Sequence, residues 1–169
     1  AQYNLGIVLK EVGRQEEAVV LYRKALTVEP NFAEAHNNLG TILQELGQFD
    51  EAVTIYRQAL DIRPSYAEAH NNLGNVLQEL GKLEEAAESY QKSLDIKPDD
   101  AAANYNLGNA FQEQGKLEEA VERYQKAITI EPDYAEAHCN LGLALMSMGR
   151  LDEAAAIHHK AIDIKPDFA

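Results

Sequence analysis

The stretch Ala33–Tyr66, AEAHNNLGTILQELGQFDEAVTIYRQALDIRPSY, is the unit from which this 169-residue chain is built. Its landmarks return at a fixed step on both sides. The five prolines, Pro30, Pro64, Pro98, Pro132 and Pro166, stand 34 residues apart. The ten glycines fall into two series with the same step: Gly6, Gly40, Gly74, Gly108 and Gly142, then Gly13, Gly47, Gly81, Gly115 and Gly149. A period of this length marks a stacked repeat, in which each unit buries its apolar face on its neighbours.

Two helical patterns lie inside the unit. From about Ala33 to Leu46, apolar residues recur at Ala35, Leu39, Ile42, Leu43 and Leu46, the spacing of one helix face. Asn31 with Glu34 three residues on reads as a capping box, repeated as Ser65/Glu68 and Asp133/Glu136. The pairing fails where Asp99 is followed by Ala102, so that helix start is expected to be the weak one. Gly47 is placed to end the helix in the left-handed conformation. The second pattern runs from about Asp50 to Ile62, with Ala52, Val53, Tyr56, Ala59 and Leu60 on its apolar face. Pro64 stops it, having no amide hydrogen to donate. The connection between the two patterns is so short that they must form an antiparallel pair. Glycine inside a helix costs about 1 kcal/mol relative to alanine. Its return at the Gly40 position predicts a close approach between helix backbones.

Leu39-Gly40, Ala52, Tyr56, Ala59 and Pro64, at these separations, resemble the tetratricopeptide repeat. The resemblance covers essentially the whole chain. It implies an all-α solenoid, a superhelix of antiparallel helix pairs, with repeats at 1–32 (lacking its opening residues), 33–66, 67–100, 101–134 and 135–168. One departure is that the family's usual aromatic at the position of His36 is absent. The array needs no central core, so one elongated body is expected. Repeats two and three share 20 of 34 residues. Gln15 stands where the later repeats have Phe49, Leu83, Leu117 and Leu151, which softens the first repeat's packing. Asp100 replaces the apolar residue seen as Phe32, Tyr66, Tyr134 and Phe168, so the junction there lacks a staple.

The net charge of −13 argues against nucleic acid, which asks for a basic stripe, and against an anionic membrane surface. Acidic outer faces account for it as a solubility device. With one cysteine, Cys139, no disulfide can form within the chain, which suits a reducing compartment such as the cytoplasm without fixing one. The chain starts inside one repeat and ends at the first residue of another, so it reads as a segment of a longer array or an engineered chain. No polar capping helix follows the fifth repeat, and end-to-end association between copies is expected.

In the family, the first helix of each pair lines a concave groove. Removing its buried positions leaves an asparagine in every repeat, Asn4, Asn38, Asn72, Asn106 and Asn140. Beside them stand Asn37, Asn71, Asn75, Asn109, Gln44, Gln78 and Gln112. Asparagine is a poor helix former, so five in register need a reason. Two readings stand side by side. An amide ladder can donate to carbonyls and accept from N–H groups of an extended peptide, gripping its backbone without reading its sequence. With layers about 10 Å apart and about 3.3 Å per peptide residue, one asparagine meets every third residue or so. Alternatively, these asparagines tie adjacent repeats to each other. The ladder resembles the repeat segment of the O-linked N-acetylglucosamine transferases. That resemblance implies a substrate-recruiting part without a catalytic domain.

The family's clamp for acidic peptide tails uses lysine and arginine. The corresponding positions here are Glu34, Glu68, Ala102, Glu136 and the neutral asparagines, which argues against it. His36, His70 and His138 recur one per layer, too far apart to share an ion's bonds of about 2 Å, so no metal is expected. His158 and His159 are adjacent and face different ways. Cys139 has no base at motif spacing. No phosphate loop, triad or paired-acid site is found, and neither cofactor nor enzyme activity is expected. Function is read as binding of a protein or peptide ligand, with a self-assembling or designed repeat protein as the alternative.

Overall fold

The computed structural model describes residues 1–164. Pro166, Phe168 and Ala169 of the series above lie outside the described residues. The described residues hold ten α-helices: α1 (Gln2–Glu11), α2 (Gln15–Val28), α3 (Ala33–Glu45), α4 (Phe49–Ile62), α5 (Ala67–Glu79), α6 (Leu83–Ile96), α7 (Ala101–Glu113), α8 (Leu117–Ile130), α9 (Ala135–Ser147) and α10 (Leu151–Ile164). They belong to two compact units, Ala1–Lys82 and the residues from Leu83 onward. In the first, α1 to α5 pack each on the next, and α3 also lies beside α5. In the second, α6 to α10 do the same, and α7 lies beside α9.

The loop inside each helix pair is set by its glycine. Gly47 has φ of 72°, and its counterparts Gly13, Gly81, Gly115 and Gly149 lie between 70° and 77°. The N–H of Gly47 donates to the carbonyl of Gln44 at 2.9 Å and that of Gln48 to Leu43 at 2.8 Å. These two bonds form the Schellman closure, which satisfies the last carbonyls of α3 and turns the chain for α4.

The other glycine series serves the pair's packing. Tyr56 is fully buried on α4, and its ring lies against α3 at Gly40, where a Cβ would stand 2.7 Å from Cε1. The same contact joins Gly6 to Tyr22 and Gly108 to Tyr124. The close approach is therefore of ring to backbone, not of two backbones. Burying such a ring contributes on the order of 2–3 kcal/mol, more than the mid-helix glycine costs.

The helix starts correct the capping expectation. The N-caps are Phe32, Tyr66 and Tyr134, one residue later than the proposed boxes, and none caps with its side chain. Glu34 instead pairs with Arg63, which holds its carboxyl below the usual range, and Glu68 accepts from Asn37 at 2.9 Å. The start expected to be weak carries a side-chain cap that those three lack: Asp100 accepts from the Ala103 N–H at 3.0 Å and meets Lys97 at 3.0 Å. A carboxylate cannot staple, but it can satisfy an orphan N–H. Elsewhere the staple position packs one ring tilted against another, Phe32 on Tyr3 with centroids 4.5 Å apart and Tyr134 on Tyr105 at 5.0 Å.

Gly40→Ala is expected to destabilise by about 1–3 kcal/mol in urea unfolding, because the ring must move, although alanine is the better helix former. Asp100→Ala should cost about 1 kcal/mol, whereas Asn31→Ala, exposed and without a cap bond, should leave the unfolding midpoint unchanged.

Candidate peptide-binding surface

The surface is assembled from α3 and α5 in the first unit and from α7 and α9 in the second. In the first unit, Asn38 Nδ2 donates to the Tyr3 hydroxyl at 3.1 Å and Asn72 Nδ2 donates to Asn37 Oδ1 at 3.2 Å. In the second, Asn140 Nδ2 donates to Tyr105 Oη at 3.1 Å and to Asn109 Oδ1 at 2.9 Å. Each of these donors reaches back to the preceding repeat, as the inter-repeat reading requires. All three side chains stay half-buried rather than enclosed.

Asn37 departs from the surface reading. It is fully buried, donating to Glu68 and accepting from Asn72, so it cannot meet a ligand. Neighbours in sequence are rotated by about 100° on a helix, and this rotation turns Asn37 into the next repeat while Asn38 stays at the rim. Asn4 is exposed, and Asn71, Asn75, Asn106 and Gln78 are half-buried with partners of their own.

A second set of bonds was not foreseen. The Tyr56 hydroxyl donates to Thr41 Oγ1 at 3.2 Å and Gln44 Oε1 at 3.3 Å, and that of Tyr124 to Asn109 Oδ1 at 2.7 Å and Gln112 Oε1 at 3.0 Å. Thus Gln44 and Gln112 turn their carbonyl oxygens to the buried tyrosine. The signal was present in the sequence. In the fifth repeat Leu143 and Met146 replace the acceptors, and His158 replaces the tyrosine. In the first repeat Ile7 and Lys10 replace the acceptors but Tyr22 remains, and its buried hydroxyl has no partner.

Thr41, Gln44, Glu45, Phe49, Asn72, Asn75 and Glu79 line one cavity of about 460 Å3 in the first unit. Three of the expected amides therefore converge there, with an aromatic ring and two carboxylates around them. Glu45 accepts from Gln15 Nε2 at 2.6 Å, so the residue that breaks the apolar pattern at the start of α2 makes a polar tie to α3 instead.

Family models match along the chain: "TPR repeat" over 6–47 and 108–149, and "Tetratricopeptide repeat" over 31–99, 77–124 and 135–168. The chain belongs to the tetratricopeptide repeat family. Among solved structures, a MamA crystal structure superposes with TM-score 0.91 at 26 % identity over 96 % of this chain and 95 % of that one. MamA 41-end from Desulfovibrio magneticus RS-1 gives 0.92 at 26 %, covering 98 % and 94 %. YrrB, described as a TPR protein with an unusual peptide-binding site, gives 0.84 at 26 %, covering 98 % and 86 %. A comparison with curated proteins returns no match.

In these tetratricopeptide repeats the recurring histidines are loop clips. His36, His70 and His138 each set Nε2 at 2.9 Å from the carbonyl of the proline six residues earlier, Pro30, Pro64 and Pro132. A carbonyl can only accept, so Nε2 carries the proton. Asn104 does the same work, donating to Asp100 O at 2.9 Å and Pro98 O at 3.4 Å. No group of ligands able to hold a metal occurs among the described residues. No described helix is long and apolar enough to cross a membrane. Burial and Glu136 push the Cys139 thiol up, away from the thiolate form a nucleophile needs.

Tyr22→Phe is expected to be neutral or stabilising, while Tyr124→Phe loses about 1 kcal/mol. Ile7→Asn should gain a similar amount only when Tyr22 is present, a coupling that a double-mutant cycle of urea melts measures. Burial pushes Tyr22, Tyr66 and Tyr134 up to about 12, and Tyr56 and Tyr124 higher still. Unfolded tyrosine ionises near pH 10. Above that pH the unfolded chain holds fewer protons than the folded one, so stability falls as pH rises. Unfolding midpoints should hold up to about pH 10 and drop from there toward about pH 12.

Proposed function

We propose that the chain is a protein-interaction module that binds an extended peptide, and that it acts by binding alone, not catalysis. The observation carrying this reading is the cavity between α3 and α5 where Gln44, Asn72 and Asn75 converge. Amides there can pair with the N–H and C=O groups of a peptide backbone, Phe49 offers one apolar contact, and Glu45 and Glu79 favour a segment that is not acidic. Gln44 spends its oxygen on Tyr56 and keeps its amide hydrogens for a carbonyl. Asn72 contributes its oxygen, since its N–H holds Asn37. The second unit offers a different surface, because Leu143 and Met146 stand 46 % and 47 % exposed in the places of amides and suit apolar side chains. The matched repeat models and the peptide-binding description of YrrB support the general reading.

The test is an unbiased peptide library titrated against the parent chain and Gln44→Ala. Tyr56 keeps Thr41 as acceptor in the variant, so its helical signal and melting should persist. An affinity loss of about tenfold, the weight of one or two hydrogen bonds, supports the site. Equal binding by a well-folded variant removes it.

A further inference from the structure

Two carboxylates of the first unit hold the same place in successive repeats and are served differently. Glu45 on α3 meets Lys10 of α1, Nζ to Oε1 at 3.9 Å, and accepts from Gln15 Nε2 at 2.6 Å. Glu79 on α5 stands one repeat later, and there Gln44 occupies the place of Lys10. Gln44 turns its oxygen to the Tyr56 hydroxyl and brings no charge. The Glu79 side chain is exposed, and its carboxylate has no ion-pair or hydrogen-bond partner among the described residues. Both carboxylates border the cavity of about 460 Å3 between α3 and α5, whose lining holds neither lysine nor arginine.

We propose that this cavity seats a basic side chain of the bound peptide, lysine or arginine, with Glu79 as its counter-ion. The proposal rests on the extended-peptide reading above and names the residue class that reading leaves open. The chain supplies its own precedent: the ligand's cation does for Glu79 what Lys10 does for Glu45. Phe49 can take the methylene stem of either side chain along its ring while the charged head stays near water. Asn72 spends its Nδ2 on Asn37 and has Oδ1 left to accept from an ammonium or guanidinium N–H. An acidic side chain in the same seat would meet two like charges, and an apolar one would strip water from Glu79 without replacing it.

Capped peptides of alanine, serine and glycine with a central lysine, arginine, norleucine or glutamate test this, titrated by calorimetry against the parent and its variants at low salt. The parent should bind the lysine and arginine peptides about three- to tenfold more tightly than the norleucine peptide, the range of an accessible ion pair aided by a ring, and the glutamate peptide least. High salt should shrink that preference. Glu79→Gln should bring the ratio close to one, whereas Glu84→Gln, which removes an equal charge from an exposed position on α6, should keep it. Gln44→Lys rebuilds the Lys10–Glu45 pairing one repeat on, fills the seat from within, and should lower the ratio as well. A parent without the preference overturns the proposal, and so does a Glu79→Gln chain that retains it. If all the peptides bind the parent equally and Gln44→Ala weakens them alike, the extended-peptide reading stands and the basic seat falls. If none binds, both fall.

Discussion

The tyrosine ring laid on a bare helix backbone is the contact on which each pair depends. Tyr56 has no exposed surface only because Gly40 has no side chain, and a single methyl there would stand inside the ring's contact distance. That contact sets how closely α3 and α4 pack. Ala52 and Ala59, both fully buried, keep the same helix narrow above and below the ring. The packing energy is distributed in like portions along each unit rather than gathered in one centre, as expected where stability is a sum over neighbouring units.

Much of this was legible from spacing. Helix pairs, their glycine-closed loops and the packing positions follow from a period repeated five times, and periodicity averages out local noise. What was misread lay within one residue of the right answer. The proposed capping boxes stand one position before the observed N-caps, because Asn31 and Glu34 satisfied a pattern while the chain entered α3 through Phe32. Asp100 looked like a lost staple and is instead a side-chain cap, which Phe32, Tyr66 and Tyr134 are not. Asn37 and Asn38 are chemically the same, so composition could not say which faced the next repeat. Rotation about the helix axis decides it, and only the packed structure supplies that angle.

The candidate site was legible in outline for a different reason. Gln44, Asn72 and Asn75 were picked as polar leftovers after the apolar positions were removed, and they do converge. Their buried obligations were not read, although the fifth repeat advertised them by changing tyrosine and acceptors together. Amides at these positions have two employers, the tyrosine beneath and any ligand above. A histidine in place of Tyr124's counterpart, seen as His158 against Gly142, shows the repeat releasing that obligation while keeping the ring.

This double duty constrains how such a surface can change over generations. Replacing a groove amide with an apolar residue strands a hydroxyl, and replacing the tyrosine first leaves an amide without its internal partner. Either order passes through a less stable intermediate. The first repeat, with Ile7 and Lys10 above an unpartnered Tyr22, is such an intermediate held in place, and the fifth, with Leu143, Met146 and His158, stands at the far end of the same path. New binding preferences in this array should therefore arise most readily where the tyrosine and both of its acceptors have changed together, as in the fifth repeat.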